Sequence, residues 1–259
     1  MDVTSRFVLD FARRFAGGAG KPAGCAILDF GCGAGQLVAE ARAAGLNMQG
    51  ADVYYSGSNA RAEAVAAGLL GTAVHEIRDG RLPFPDASFD LVVGNQVMEH
   101  VEDLGSELAA IHRVLKPGGT LLSVFPSRDV WREGHIGIPF AHWFPRGSRA
   151  RSLFAWALRS VGFGYWKEQA PTRRQWAIDK LAWIDAHTHY RPRAEIFAAF
   201  DRYFRNEGRE ADYIRYRLCQ RRWRAPAARL LSLPPVRAAA VALFRKLAFL
   251  VIVSRKEDR

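Results

Sequence analysis

From Ile27 to Phe125 short apolar runs alternate with stretches of helical spacing. Ile27 to Phe30, broken only by Asp29, reads as a strand that opens into glycines at 31, 33 and 35. Gln36 to Ala44 then has a helical pattern, and Gly45 is a favoured residue just past a helix end. Met48 to Val53 predicts a second strand, Ala60 to Gly68 a helix, and Val74 to Ile77 a third strand. After the proline-punctuated loop Leu82 to Asp86, Phe89 to Gly94 is apolar throughout except for Asp90, as in strands covered on both faces. Leu104 to Leu115 returns to the helical period, Lys116-Pro117-Gly118-Gly119 ends it, and Thr120 to Phe125 is a fifth strand. Strands alternating with helices predict a parallel, doubly wound α/β sheet whose ligand crevice lies beyond the strand carboxyl ends.

The chain between Phe125 and the last apolar run, Leu247 to Val253, is too long for an ordinary crossover, and connections of that size are usually functional. Helices are expected near Ser148 to Ser160, Arg173 to Asp185 and Arg193 to Tyr203, with Leu247 to Val253 as the closing strand. This divides the chain into a ligand-binding half at 1–126, an aromatic and His-rich cap at 127–190, and a part at 191–259 that completes the sheet with basic helices. Val3, Phe7, Phe11 and Phe15 share one helical face with Arg13 and Arg14 between them, which is an amphipathic helix and not a secretory signal. The seven apolar residues from 247 cannot span a bilayer, and Arg229, Arg237, Arg245 and Lys246 interrupt the stretch before them. Ala225 to Arg245 is either a helix packed on the sheet or one that lays an apolar face on a membrane interface.

Charge sharpens the division. Residues 1–126 hold 10 Lys+Arg and 14 Asp+Glu, net −4, whereas 127–259 hold 27 and 12, net +15. Such asymmetry points to an anionic partner, and scattered solvated arginines on helix faces are the alternative. Residues 127–190 also carry six of the seven tryptophans and four of the seven histidines, so this segment is the expected substrate-binding surface. Cysteines at 25, 32 and 219 are odd in number and lack metal-type pairing, which suits a reducing cytoplasm, with the inner face of the membrane as a possible station.

A glycine turn between strand and helix lets the backbone approach a ligand and aims free helix N–H groups at it. The spacing 31, 33, 35 is not the dinucleotide fingerprint, which needs its third glycine five residues after the first, where Gln36 stands. Asp52, 23 positions after Asp29, is placed to accept hydrogen bonds from both hydroxyls of a ribose.

Together the ILDFGCGAG run at 27–35, Asp52, LPFPDASFDLVV at 82–93, NQVMEHV at 95–101 and RVLKPGG at 113–119 resemble the class I methyltransferases that use S-adenosylmethionine, over about residues 26–125. The resemblance implies a Rossmann-like, seven-stranded, mostly parallel sheet with a helical cap inserted after the fifth strand. It also implies that Asp29, Gly31, Cys32, Gly33 and Gly35 hold the methionine part of the cofactor and that Asp52 and Val53 hold the ribose. Asp79 and Gly80 would then meet the adenine, and Asn95 and Gln96 would line the floor. Many relatives carry the adenine acid four residues before the Leu-Pro-Phe; here that position is Arg78, and the acid is Asp79.

Methyl transfer from a sulfonium requires chiefly that a nucleophile be held in line. A hydroxyl nucleophile benefits from a base that titrates near neutrality, and His135, His142 and His100 are the candidates. His75 and His112 fall within a strand and a helix. The pair His187 and His189 has no cysteine or acid at ligand spacing, so no metal is expected. Asn95-Gln96-Val97-Met98 replaces the Asn/Asp-Pro-Pro-aromatic signature of amino-methylating nucleic-acid enzymes, and no cysteine follows strands four or five. A hydroxyl on a sugar, a lipid-linked glycan or another small anionic acceptor is therefore preferred. The alternatives are an RNA-directed methyltransferase and a cofactor-binding regulator without chemistry of its own.

Overall fold

The computed structural model describes residues 1–18, 24–55 and 58–257, with the side chain of Arg222 outside the described set. The chain begins with α1 (Val3–Ala16), whose first turn is capped by the Asp2 carboxylate accepting the Ser5 amide. It continues through β1 (Ala26–Phe30), α2 (Gln36–Ala43), β2 (Asn47–Asp52), α3 (Ala60–Ala66), β3 (Val74–Glu76), β4 (Phe89–Asn95), α4 (Leu104–Val114) and β5 (Leu115–Phe125). The cap contributes α5 (Arg149–Ser160) and α6 (Arg173–His187). The rest is α7 (Arg193–Phe200), β6 (Arg205–Gly208), α8 (Glu210–Cys219), α9 (Ala225–Leu230), α10 (Pro234–Leu247) and β7 (Leu250–Arg255).

Seven strands form one sheet in the order β3-β2-β1-β4-β5-β7-β6. The first five run parallel, β7 lies antiparallel to β5, and β6 lies antiparallel to β7. Strand order reverses between β1 and β4, where a doubly wound sheet opens its ligand crevice. Side chains alternate across the sheet, so neighbouring residues of one strand enter different cores. Leu28, Val92 and Ile252 join Leu108 and Ile111 of α4 and Phe200 of α7 on one face. Ile27, Leu91, Val93 and Val251 join Phe7 and Val8 of α1, Val38 of α2 and Tyr213 of α8 on the other. Both faces are covered, which is why the central strands are apolar without a polar alternation.

Three boundaries differ from expectation. β5 starts at Leu115, directly after α4, because Leu115 pairs with Phe89 before an irregularity in register carries the ladder on to Leu91 and Thr120. The closing strand is Leu250–Arg255, and β6 is an additional strand whose sequence, Arg-Asn-Glu-Gly, carries no apolar signal. A polar strand is stable there because it is the outermost one, with solvent on its free edge. The segment 225–245 is two helices, parted where Leu233 leads into Pro234, a residue suited to the first turn of a helix.

The cap has its own apolar cluster, in which Ile136 and Ile138 of the loop pack with Ala155 of α5 and Trp176, Leu181 and Ile184 of α6. It is pinned by the Arg151 guanidinium, only 2 % exposed, which donates to the Ala141 carbonyl at 2.8 Å and pairs with Asp185. Among the described residues no helix is long and apolar enough to cross a membrane.

Candidate functional site

β1 ends at Phe30, and the chain turns through Gly31 (φ 72°) and Gly33 (φ 54°) before α2 begins behind Gly35. A Cβ on Gly31 would stand 2.4 Å from a methyl of Val97, so glycine lets the turn sit against the loop after β4. A Cβ on Gly33 would meet nothing within 4 Å: this is the open side of the turn, facing a cavity. Gly33 is fixed by its own amide, which donates to Asp52 Oδ2 at 2.8 Å, while Asp52 Oδ1 accepts the amide of Tyr54 at 2.9 Å. The carboxylate at the end of β2 thus braces the turn and keeps lone pairs for a ligand.

The cavity, of about 500 Å³, extends from Gly31 and Gly33 past Asp52, Val53 and Gly80 to Gln96 and His100. Its far wall is acidic, with Glu102, Asp103 and Glu107 at the start of α4. Burial, with Asp103 adding, raises the Glu107 carboxyl above its ordinary range. Acid-lined space of this kind suits a ligand bearing positive charge. A larger depression of about 780 Å³, lined by Arg61, His75, Arg78 and Arg113, contains none of the glycine-turn residues.

The structure separates the expected cofactor residues into three groups. Gly31, Gly33, Asp52, Val53, Gly80 and Gln96 line the cavity. Asp29 lies beneath it, 3 % exposed, its carboxyl pushed up to about 8 by burial and then by the charge of Asp52. Cys32, Gly35, Asp79 and Asn95 are absent from the lining. The Cys32 sulfur packs where a Cβ on Gly50 would be, and burial followed by the charges of Asp29 and Asp52 pushes its thiol well above the usual range. Gly35 is packed against Val74 and Leu69 of the β3 side, and Asn95 turns to α1, donating to Ser5 Oγ at 3.2 Å. Asp79 holds a left-handed turn (φ 52°) that carries its neighbour Gly80 into the wall.

His100 joins this cavity to the cap. Its Nδ1 bonds the His187 carbonyl at 2.6 Å, and its ring meets that of His135 edge-on, with centroids 5.1 Å apart. His135 Nδ1 lies 2.7 Å from Glu133 Oε1 and 3.0 Å from the Tyr190 hydroxyl, which itself donates to the same oxygen at 2.7 Å. The second oxygen of Glu133 accepts the Ile136 amide at 2.6 Å. Glu133 is fully enclosed; burial works to raise its pKa, and these hydrogen bonds with the charge of His135 bring it net below the ordinary value. For His135 burial lowers the pKa, yet the bond and charge of Glu133, with Glu99 beyond, carry it net above the ordinary value. His100 moves the other way, lowered chiefly by burial.

His142 is placed differently. Its Nε2–H donates to the Arg128 carbonyl at 3.1 Å, its ring packs on Tyr190, and burial lowers its pKa. It packs within the cap, and neither it nor His135 is among the residues that line the cavity. Glu133, Tyr190 and Glu99 are the residues that sequence reasoning missed. The nearest signals were the acid two positions before His135 and the acid directly before His100.

Comparison with known proteins bears on the family and the fold. Residues 28–123, from β1 to near the end of β5, match the family model described as a methyltransferase domain. The chain is 34% identical over 140 residues to the ubiquinone biosynthesis O-methyltransferase of Bradyrhizobium sp. (strain ORS 278), covering 51% of this chain and 53% of that protein. It is 33% identical over 141 residues to the protein of the same name from Nitrobacter winogradskyi, with 51% of each covered. The chain thus spans about half the length of the curated relatives it matches. An S-adenosylmethionine dependent methyltransferase from Mesorhizobium loti shares the fold, with TM-score 0.52 and 21% identity over 96% of this chain and 100% of that one.

Proposed function

We propose that the chain, whose residues 28–123 match the methyltransferase-domain model, is an S-adenosylmethionine-dependent methyltransferase that O-methylates a small acceptor hydroxyl at the boundary between cavity and cap. The observation that carries this reading is the Glu133–His135 pair, bonded at 2.7 Å and set beside His100 where the cofactor cavity meets the cap. S-adenosylmethionine, when bound, supplies a methyl group on a positively charged sulfur that already leaves readily. The chain's own residues do the rest. The start of α2 offers N–H groups to a carboxylate, Asp29 lies beneath the turn to meet an ammonium, and Asp52, which already holds the Gly33 amide, keeps lone pairs for ribose hydroxyls.

At the acceptor end His135 holds its Nδ1 proton on Glu133, so Nε2 carries the lone pair. An acceptor hydroxyl would give its proton to that nitrogen as its oxygen is methylated, with the cofactor's sulfur as the leaving group. Glu133 stabilises the imidazolium that forms, and the Tyr190 hydroxyl steadies Glu133.

An anionic, sugar-like acceptor is supported by the cap's outer face. Trp131, Phe140 and Trp143 are exposed there beside Arg128, Arg132 and Arg146. Aromatic faces suit sugar rings, and guanidinium groups suit carboxylate or phosphate. Presentation of the acceptor at an anionic membrane surface is supported by α10, which has no buried residue and exposes Leu243 and Leu247 beside basic side chains. The test is mass-shift profiling of cell extracts with isotopically labelled cofactor. An O-methylated acidic glycan is the expected product, and label confined to RNA would replace this acceptor class.

A further inference from the structure

We propose that Glu99, His100 and His135 form a binding site for one divalent first-row transition-metal ion, at the junction of the loop after β4 with the cap. Each residue offers one ligand atom, and these atoms all lie within 4.8 Å of one another. That is close to the span of ligands around a single ion, so small side-chain rotations complete the site.

Two further features favour an ion over a chance cluster. Both rings have the kind of outer partner that ligating histidines have. His100 must donate its Nδ1 proton to the His187 carbonyl, and His135 directs its Nδ1 proton to Glu133, which leaves each Nε2 with a lone pair. Carbonyl and carboxylate partners on the far nitrogen are what fix the tautomer and raise the basicity of ligating histidines. The third member, Glu99, is 1 % exposed, and neither carboxylate oxygen has a hydrogen-bond partner of good geometry among the described residues. Its backbone is held, since its carbonyl accepts the His189 amide at 2.6 Å, so the acid cannot readily swing out to water. A buried carboxylate without partners is costly, and a cation beside it removes that cost.

The donor set selects the ion. Two imidazoles and one carboxylate, without a thiolate, suit zinc, manganese, iron or cobalt better than calcium or magnesium, which prefer all-oxygen sites. Three protein ligands leave coordination positions open. Because His100 also lines the cavity shared with Gly31 and Gly33, an acceptor oxygen bound at an open position faces the methyl donor's end. This inference rests on the methyltransferase reading and deepens it. In the metal-loaded protein His135 would be a ligand and the hydroxyl's proton would pass to solvent water, whereas in the metal-free protein His135 is the base described above; in both, the oxygen–carbon bond forms as the carbon–sulfur bond breaks.

The test uses the full chain stripped with a chelator and titrated with Co²⁺ and then Zn²⁺, followed by visible absorption and calorimetry. One equivalent should bind without a thiolate charge-transfer band, and Glu99→Gln should weaken binding by about 100-fold or more. His100→Ala gives the same reading should the first variant fail to fold. Affinity weaker than about 1 mM in the parent chain, or an unchanged affinity in Glu99→Gln, would overturn the site. S-adenosylhomocysteine is titrated separately. Retained nucleoside binding without metal binding ends this inference alone, whereas loss of nucleoside binding ends the methyltransferase reading.

Discussion

The Gly33 amide reaches the Asp52 carboxylate at 2.8 Å, so the turn after β1 and the end of β2 form one rigid rim around the cavity. Asp52 therefore shapes the rim as well as facing it. Asp52→Ala should lower affinity for S-adenosylmethionine by about 10- to 100-fold, the range expected for lost hydrogen bonds to a charged acceptor, while leaving the fold intact. Calorimetry beside circular dichroism measures both, and an unchanged affinity would remove Asp52 from the ribose.

Asp29 gives a pH signature. In the ligand-free protein its carboxyl is pushed up to about 8 by burial and by Asp52, so it carries a proton at neutral pH. An ammonium bound beside it favours the charged form, so cofactor binding should release a proton and tighten as pH rises toward 8. Heats of binding at pH 7 should then differ between phosphate and Tris by the buffers' ionisation heats. Identical heats would contradict the contact. The same shift acts on folding. Its stabilising contribution is complete below the unfolded value of 3.8 and is lost as pH rises through the folded value of about 8. Asp29→Asn should flatten that part of the stability profile, measured by urea unfolding across the range.

His135→Ala should separate chemistry from cofactor binding. Turnover should fall by about 100-fold or more, the usual contribution of a positioned proton-transfer group, with S-adenosylhomocysteine affinity unchanged. Glu133→Gln should show the same split with a smaller loss of rate, since it acts through the imidazole. Equal losses of rate and affinity would instead mark both residues as parts of the scaffold.

The cap should be separable in stability from the sheet. Asp185→Ala leaves the buried Arg151 guanidinium without its carboxylate, and removing one partner of such a pair costs about 3 kcal/mol. Fluorescence of Trp176 and Trp183, both on α6, should report earlier unfolding in denaturant than far-ultraviolet signal from the sheet. Coincident, unshifted transitions would show that the pair contributes nothing to the cap.

The strands β1, β4 and the second half of β5 were legible because a strand covered on both faces is apolar at nearly every position, a local and continuous signal. β6 was not, since Arg205 to Gly208 is held by main-chain bonds to β7 and its side chains carry no trace of that pairing. The same distinction governs the site. Gly31, Gly33 and Asp52 announce themselves through spacing along a short stretch, and each lines the cavity. Glu133 and Tyr190 meet only because the cap folds back on itself, 57 residues of chain apart, and nothing near either one signals the other. Asn95 misleads for a related reason: its position after β4 suits the cavity floor, but α1 supplies a Ser5 hydroxyl that draws it away.

The position of β7 in the sheet bears on how the molecule is made. It is the last strand along the chain, yet it lies between β5 and β6 and pairs with both. While the nascent polypeptide is still emerging, β5 has a bare edge and β6 has nothing to zip onto. The first five strands can assemble during translation, but sealing that flank waits for residues 250–255 to clear the exit tunnel.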